Sequence, residues 1–306
     1  MKIARFSTGD EPRYGIVELS GASPTDPASF QAASPGSTPP ATGTDIATAI
    51  PEPPVPGPAG QPQGHILVLK GDPLFTPPQA TGEVVDLAEA RLLSPVIPRS
   101  KVVGFAGTYV DPAGGDRREG APDEPVVFLK PNTAVIGPDA PIVLPRWSTE
   151  VHYEAELAVV IKSLAKDITP ERVDDVVLGY TVANDVSARD RQRAEPQWVR
   201  GKAFDTSCPL GPWLEIPEPG GAVAFNPDDA VVRAYLDGHL VQEASTREMT
   251  RPVAELVAYA STIFTLLPGD VILTGTPVGA GELRPGQRIE VGVEGIGAFS
   301  NPVVRR

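Results

Sequence analysis

Glu154, Glu156 and Asp185 are the residues of this 306-residue chain whose types and spacing can do chemistry. The two glutamates lie in a β-prone run from Val151 to Ile161, VHYEAELAVVI. Side chains alternate along a strand, so Glu154 and Glu156 are expected on one face of a single strand, continued by Ala158 and Val160. Tyr153, Ala155, Leu157 and Val159 form the other face. Both faces are apolar, the pattern of a strand covered on both sides. Two neighbouring carboxylates in such a strand repel each other and lose hydration. Either a cation sits between them or one of them keeps a proton. Mg²⁺ or Mn²⁺, hard ions that prefer oxygen ligands, would meet that need. A solvated edge strand could carry the same pair with no ion. Asp185 closes the apolar run from Val177 to Asn184, where a strand hands over to a turn or short helix. A helix N-cap is the other use of an aspartate there. Arg189, Gln192 and Lys202 follow closely. Three carboxylates with two cations and an amide compose a site for a metal and an anionic substrate.

These residues need a β-rich frame. Segments 2–7 and 14–19 read as a hairpin around Glu11, Pro12 and Arg13. From about 21 to 64 the chain is rich in Pro, Ala, Ser, Thr and Gly, and an unordered insertion is expected there. A strand at 66–69 resumes a small N-terminal domain, 1–94, before the main body, 95–306. Strands are expected at 101–106, 126–130 and 176–184. Two more, 231–236 and 239–242, flank Asp237–Gly238, a type I′ hairpin signal. A helix is expected from Pro252 to Phe264, with apolar residues at Val253, Leu256, Val257, Ala260 and Phe264. Strand 271–273 and a last pair punctuated by Gly295 and Gly297 complete a β-rich α+β pattern. The net charge of −13 argues against nucleic acid or an anionic membrane as the main partner. The single cysteine, Cys208, excludes an internal disulfide and fits a reducing compartment. The first residues lack the apolar core of a signal peptide, and no run is long enough to span a bilayer. A cytoplasmic protein is expected.

The chain resembles the fumarylacetoacetate hydrolase family over roughly residues 95 to 306. The resemblance is carried by YEAEL (153–157), NDVSARD (184–190) with Gln192, GKAFD (201–205), PLGPW (209–213) and PGDVILTGTP (268–277). It implies a mixed β-roll or barrel-like sandwich, usually a homodimer, in which Glu154, Glu156 and Asp185 hold Mg²⁺ or Mn²⁺. The substrate would be a small anionic 2-oxo acid, its enolate stabilised at the metal. Lys202 would offset negative charge or shuttle a proton, with a plain salt bridge as its other use. Arg189, Gln192, Lys130, Thr276 and Tyr109 would face the substrate. Thr276 could instead serve a tight turn, and Arg189 could be a surface charge.

One stretch departs from the family pattern. Hydrolytic members carry Asn-Tyr-x-Asp-His, with a glutamate three residues beyond the histidine, on a lid. Here Thr108 replaces the asparagine, Pro112 stands at the histidine and Gly115 at the glutamate. Of the three histidines, His152 shares the expected face of Glu154 and is the stand-in. Asp111, Asp116 and Glu119 are further loop carboxylates. Losing a water-activating pair weakens hydrolytic C–C cleavage most, decarboxylation least, and isomerisation in between. The expected activity is therefore decarboxylation, isomerisation or C–C hydrolysis of a 2-oxo acid, with the first two favoured. The alternative is a metal- and oxo-acid-binding homologue without turnover.

Overall fold

A computed structural model describes residues 1–20, 63–109, 124–217 and 225–305. The Pro-rich stretch, apart from its last two residues, and the lid positions Asp111, Pro112, Gly115, Asp116 and Glu119 lie outside them. The frame is two mixed sheets. In the twelve-stranded sheet the spatial order is Ala80–Asp86, Gly64–Leu69, Arg13–Leu19, Lys2–Ser7, Cys208–Glu215, Val177–Asn184, Ala155–Ile161, Val271–Leu273, Val102–Ala106 and Val126–Lys130. Arg91–Leu93 and Val135–Ile136 pair off this path. The five-stranded sheet runs His239–Ser245, Val231–Leu236, Arg288–Val293, Gly297–Arg305 and Ile142–Leu144.

Ala155–Ile161 is buried along its whole length because it has a core on each side. Leu157, Val159 and Ile161 join the large cluster between the two sheets, with Val232, Ala234, Ile289 and Val291. Ala158 and Val160 join a second cluster with Ala183, Cys208, Leu210 and Leu273. The expected two-sided burial is therefore present. The single-strand reading needs correction: Val151–His152 is a separate short strand paired with Ser187–Ala188, and Tyr153 and Glu154 fall in a break before Ala155. The amide of Tyr153 turns to the Gly281 carbonyl (3.0 Å) and that of Glu154 to the Asn184 side chain (2.9 Å). Glu154 thus precedes the strand that carries Glu156.

The hairpin and helix form where local chemistry requires them. Asp237 and Gly238 have φ of 50° and 81°, the left-handed pair of a type I′ turn. The helix spans Val253–Ile263, starting directly after Pro252, and buries Val253, Leu256, Val257 and Ala260. Cys208–Glu215 is a further strand, beyond those expected, in which Pro209 and Pro212 supply no ladder donors. Opposite Pro212 the register is irregular, and the buried Thr181 hydroxyl donates there to the Gly211 or Trp213 carbonyl (3.0 and 2.8 Å). Lys2–Ser7 pairs along this same strand, so the N-terminal strands extend the main sheet.

Candidate metal centre

Strand Val177–Asn184 lies beside Ala155–Ile161, with Asn184 opposite Ala155 and Ala183 opposite Glu156. That register delivers Asp185, the next residue, to the two glutamates, and its amide donates to the Glu154 carbonyl at 2.8 Å. Glu154, Glu156 and Asp185 are all buried and each offers an oxygen within 4.8 Å of the others. After Ser187–Ala188 come two short helices, Arg189–Ala194 and Val199–Lys202. The first carries Arg189 and Gln192, and the second returns Lys202 to the carboxylates.

The charges are unevenly matched. Lys202 Nζ donates to Glu154 Oε2 (2.9 Å) and Asp185 Oδ2 (2.5 Å). Lys130 Nζ lies 2.7 Å from Asp185 Oδ1, and Arg189 Nη2 lies 2.7 Å from Glu154 Oε1. Glu156 has no cation partner among the described residues. Its Oε2 accepts from the Gly275 amide (2.6 Å), and its Oε1 is buried without a hydrogen-bond partner. Burial, with Asp185 and Glu154 adding repulsion, raises the Glu156 carboxyl well above its ordinary range. Burial also acts to raise Asp185, but Lys130 and Lys202 outweigh it and hold that carboxyl below its ordinary value. Burial acts to lower Lys202, and Asp185 and Glu154 reverse it, so its ammonium keeps its proton at neutral pH.

Gly275 holds Glu156 through a conformation that other residues rarely adopt, φ +95°. A Cβ there would lie 1.9 Å from Thr108 Oγ1, which itself donates to the Thr274 carbonyl at 2.7 Å. Gly275→Ala should cost about 1–3 kcal/mol from the left-handed backbone alone, with the clash in addition. Thermal unfolding checks this: adding Thr108→Ala should relieve the contact with the hydroxyl but neither the backbone cost nor the 3.1 Å approach to the Cβ of residue 108. Full recovery would show that φ at residue 275 carries no strain.

The other sequence-expected residues divide by position. The Arg189 guanidinium also donates to Gln192 Oε1 (2.7 Å), so the two form one half-buried unit beside Glu154. Lys130, expected at the substrate, is instead fully buried, with its ammonium among Asp185, the Val186, Lys202 and Ser207 carbonyls and the Ser207 hydroxyl. Its protons are spent inside the protein. Thr276 likewise turns inward, donating to the Ala155 carbonyl (2.8 Å) and accepting from Gln242 (2.9 Å). His152 Nε2 lies 3.0 Å from Glu150 Oε1, and burial and Arg189 lower its pKa, which favours the neutral imidazole. The Tyr109 hydroxyl is buried without a hydrogen-bond partner among the described residues, and burial with Glu156 and Glu248 raises its pKa, so it remains a donor. Gln242 was missed. No local signal finds it: regular pairing from the Asp237–Gly238 turn would set Gln242 opposite Arg233, and a register shift between Ala234 and Tyr235 brings it opposite the buried Ala234 instead.

The fumarylacetoacetate (FAA) hydrolase C-terminal family model matches residues 101–304, and an Rv2993c-like N-terminal model matches residues 1–95. The chain belongs to the fumarylacetoacetate hydrolase family. Protein Rv2993c of Mycobacterium tuberculosis is 45% identical over 234 residues, covering 76% of this chain and 85% of that protein. "Oxaloacetate tautomerase fahd2, mitochondrial" of Xenopus laevis is 40% identical over 72% of this chain and 70% of that one. A crystal structure described as 5-carboxymethyl-2-hydroxymuconate delta-isomerase from Mycobacterium smegmatis superimposes with a TM-score of 0.77 at 36% identity, covering 100% of both chains. Fold and family agree with the α+β, β-rich architecture expected from the sequence. An all-oxygen donor set with an unpartnered Glu156 oxygen fits a hard divalent cation. Among the described residues no helix is long and apolar enough to cross a membrane.

Proposed function

We propose that this chain is a divalent-metal-dependent enzyme that isomerises or tautomerises a small 2-oxo dicarboxylic acid. Glu154, Glu156 and Asp185 would hold Mg²⁺ or Mn²⁺. The observation that carries the reading is a buried carboxylate, Glu156, that among the described residues has no ion-pair partner, beside two carboxylates that do. A named tautomerase and a named isomerase among the relatives support this class of reaction. When bound, the cation would act as a Lewis acid on the 2-oxo group and stabilise the enolate oxygen. Arg189 and Gln192, half-buried beside Glu154, bind a substrate carboxylate. Lys202 stays protonated, which suits it to stabilise an oxyanion or deliver a proton rather than remove one. His152, kept neutral, is the base. In ketonisation the enol oxygen loses a proton and C3 gains one, so no water need be activated. We assign catalysis to residues 95–306, in a homodimer.

Enol-oxaloacetate ketonisation tests the reading. Its ultraviolet absorbance is followed with purified protein in Mg²⁺, Mn²⁺ or EDTA, alongside pyruvate release and acetylpyruvate cleavage. Metal-dependent acceleration of ketonisation is expected. Pyruvate release would make the enzyme a decarboxylase, and acetylpyruvate cleavage a hydrolase with a base from elsewhere. Metal binding without turnover of any of these would favour the non-catalytic binder.

A further inference from the structure

We infer that Gln242 is a positioning residue for the acidic triad, its amide locking the backbone between Glu154 and Glu156 to the loop that orients Glu156. Gln242 belongs to the five-stranded sheet, on the hairpin strand His239–Ser245, yet only 2% of it is exposed. Its Oε1 accepts from the Ala155 amide (3.1 Å). Its Nε2 donates to Thr276 Oγ1 (2.9 Å) and to the Pro277 carbonyl (2.8 Å). The Thr276 hydroxyl completes a ring by donating to the Ala155 carbonyl (2.8 Å). Ala155 is the residue between the two glutamates. Gly275, next to Thr276, supplies the amide that holds Glu156 Oε2 (2.6 Å).

The pattern differs from that of a glutamine that merely fills a core. Both amide protons and the amide oxygen are used, and every bond ends on the strand or the loop that flanks Glu156. Burying an amide is unfavourable unless its partners are supplied, and here all are. Without them the loop could shift relative to Ala155 and carry the Gly275 N–H away from Glu156. This inference rests on the reading that the triad holds a divalent cation. Groups that orient metal ligands typically contribute 10–100-fold to affinity.

The test is Mn²⁺ affinity, measured by electron paramagnetic resonance of free Mn²⁺, with thermal unfolding in EDTA alongside. Gln242→Met keeps the side chain's length and removes its hydrogen bonds, and should weaken Mn²⁺ binding by about 10–100-fold. Thr276→Val should weaken it less. The double variant should bind no worse than Gln242→Met, because both act through one ring. A purely structural glutamine would lower the melting temperature in EDTA and leave the Mn²⁺ affinity unchanged. Wild-type affinity in folded Gln242→Met overturns the inference, as does wild-type affinity in Thr276→Val if Gln242→Met does not fold. A wild-type protein that binds no Mn²⁺ would instead overturn the metal reading beneath it.

Discussion

Glu156→Gln is expected to abolish Mg²⁺ and Mn²⁺ binding while making the metal-free protein more stable at pH 8. The two effects share one cause. Glu156 is fully buried, its Oε1 is unpartnered, and Asp185 and Glu154 repel its charge. Burial and those neighbours raise its pKa in the folded state, so the folded protein binds this proton more tightly than the unfolded chain does. Stability of the metal-free protein must then fall as pH rises above about 4.3, the ordinary glutamate value, until the folded carboxyl itself ionises. Glutamine is neutral throughout, and its oxygen can still accept from the Gly275 amide. In EDTA, wild type should lose more stability between pH 5 and pH 8 than the variant. The difference should amount to a few degrees in melting temperature. Turnover should fall by about 10³-fold or more, beyond the 10–100-fold typical for a group that only orients a ligand. Unchanged Mn²⁺ affinity would remove Glu156 from the ligand set. Equal pH slopes would show that its buried charge is not what destabilises the metal-free protein.

That these two glutamates belong together was legible from their spacing and from the apolar residues around them. The break that puts Glu154 outside the strand was not. It depends on the Gly281 carbonyl and the Asn184 side chain, groups far along the chain that no window around residue 154 contains. Asp237–Gly238 and the helix after Pro252 were legible because their causes are local: a left-handed pair in one, apolar spacing behind a proline in the other. The strand Cys208–Glu215 has the opposite character. Its prolines argue against a central strand, and only the distant Thr181 hydroxyl and an irregular register reconcile them with the sheet. Lys130 shows the same limit at the site. Its type announced a charge, but its role depends on Asp185 and Ser207, brought together by tertiary folding.

Lys202→Met should destabilise the metal-free protein by about 3–5 kcal/mol, the usual consequence of removing one partner from a buried ion pair. Its ammonium lies between Glu154 and Asp185 and 4.6 Å from the centre of the Phe128 ring, sealed from water. Without it, among the described residues Glu154 keeps only Arg189 and Asp185 only Lys130 as an ion-pair partner. A divalent cation at the triad would restore positive charge, so saturating Mn²⁺ should recover more stability in the variant than in wild type. The pH signature separates this residue from Glu156. Lys202 has a raised pKa in the folded state, so its contribution is fully present below the unfolded lysine value, about 10.4, and is lost only as pH climbs through the folded value. Its effect should therefore be level from pH 6 to pH 9, where that of Glu156→Gln grows with pH. Turnover in Mn²⁺ should drop by about 10²–10⁴-fold, the scale of a group that handles a proton or a developing charge. Parallel losses in kcat and kcat/KM would place its contribution in the transition state. A rise in KM alone would reduce Lys202 to substrate binding. Unchanged kinetics with lost stability would leave it a structural counter-charge and pass the proton-donor role to Tyr109, whose buried hydroxyl has no hydrogen-bond partner among the described residues.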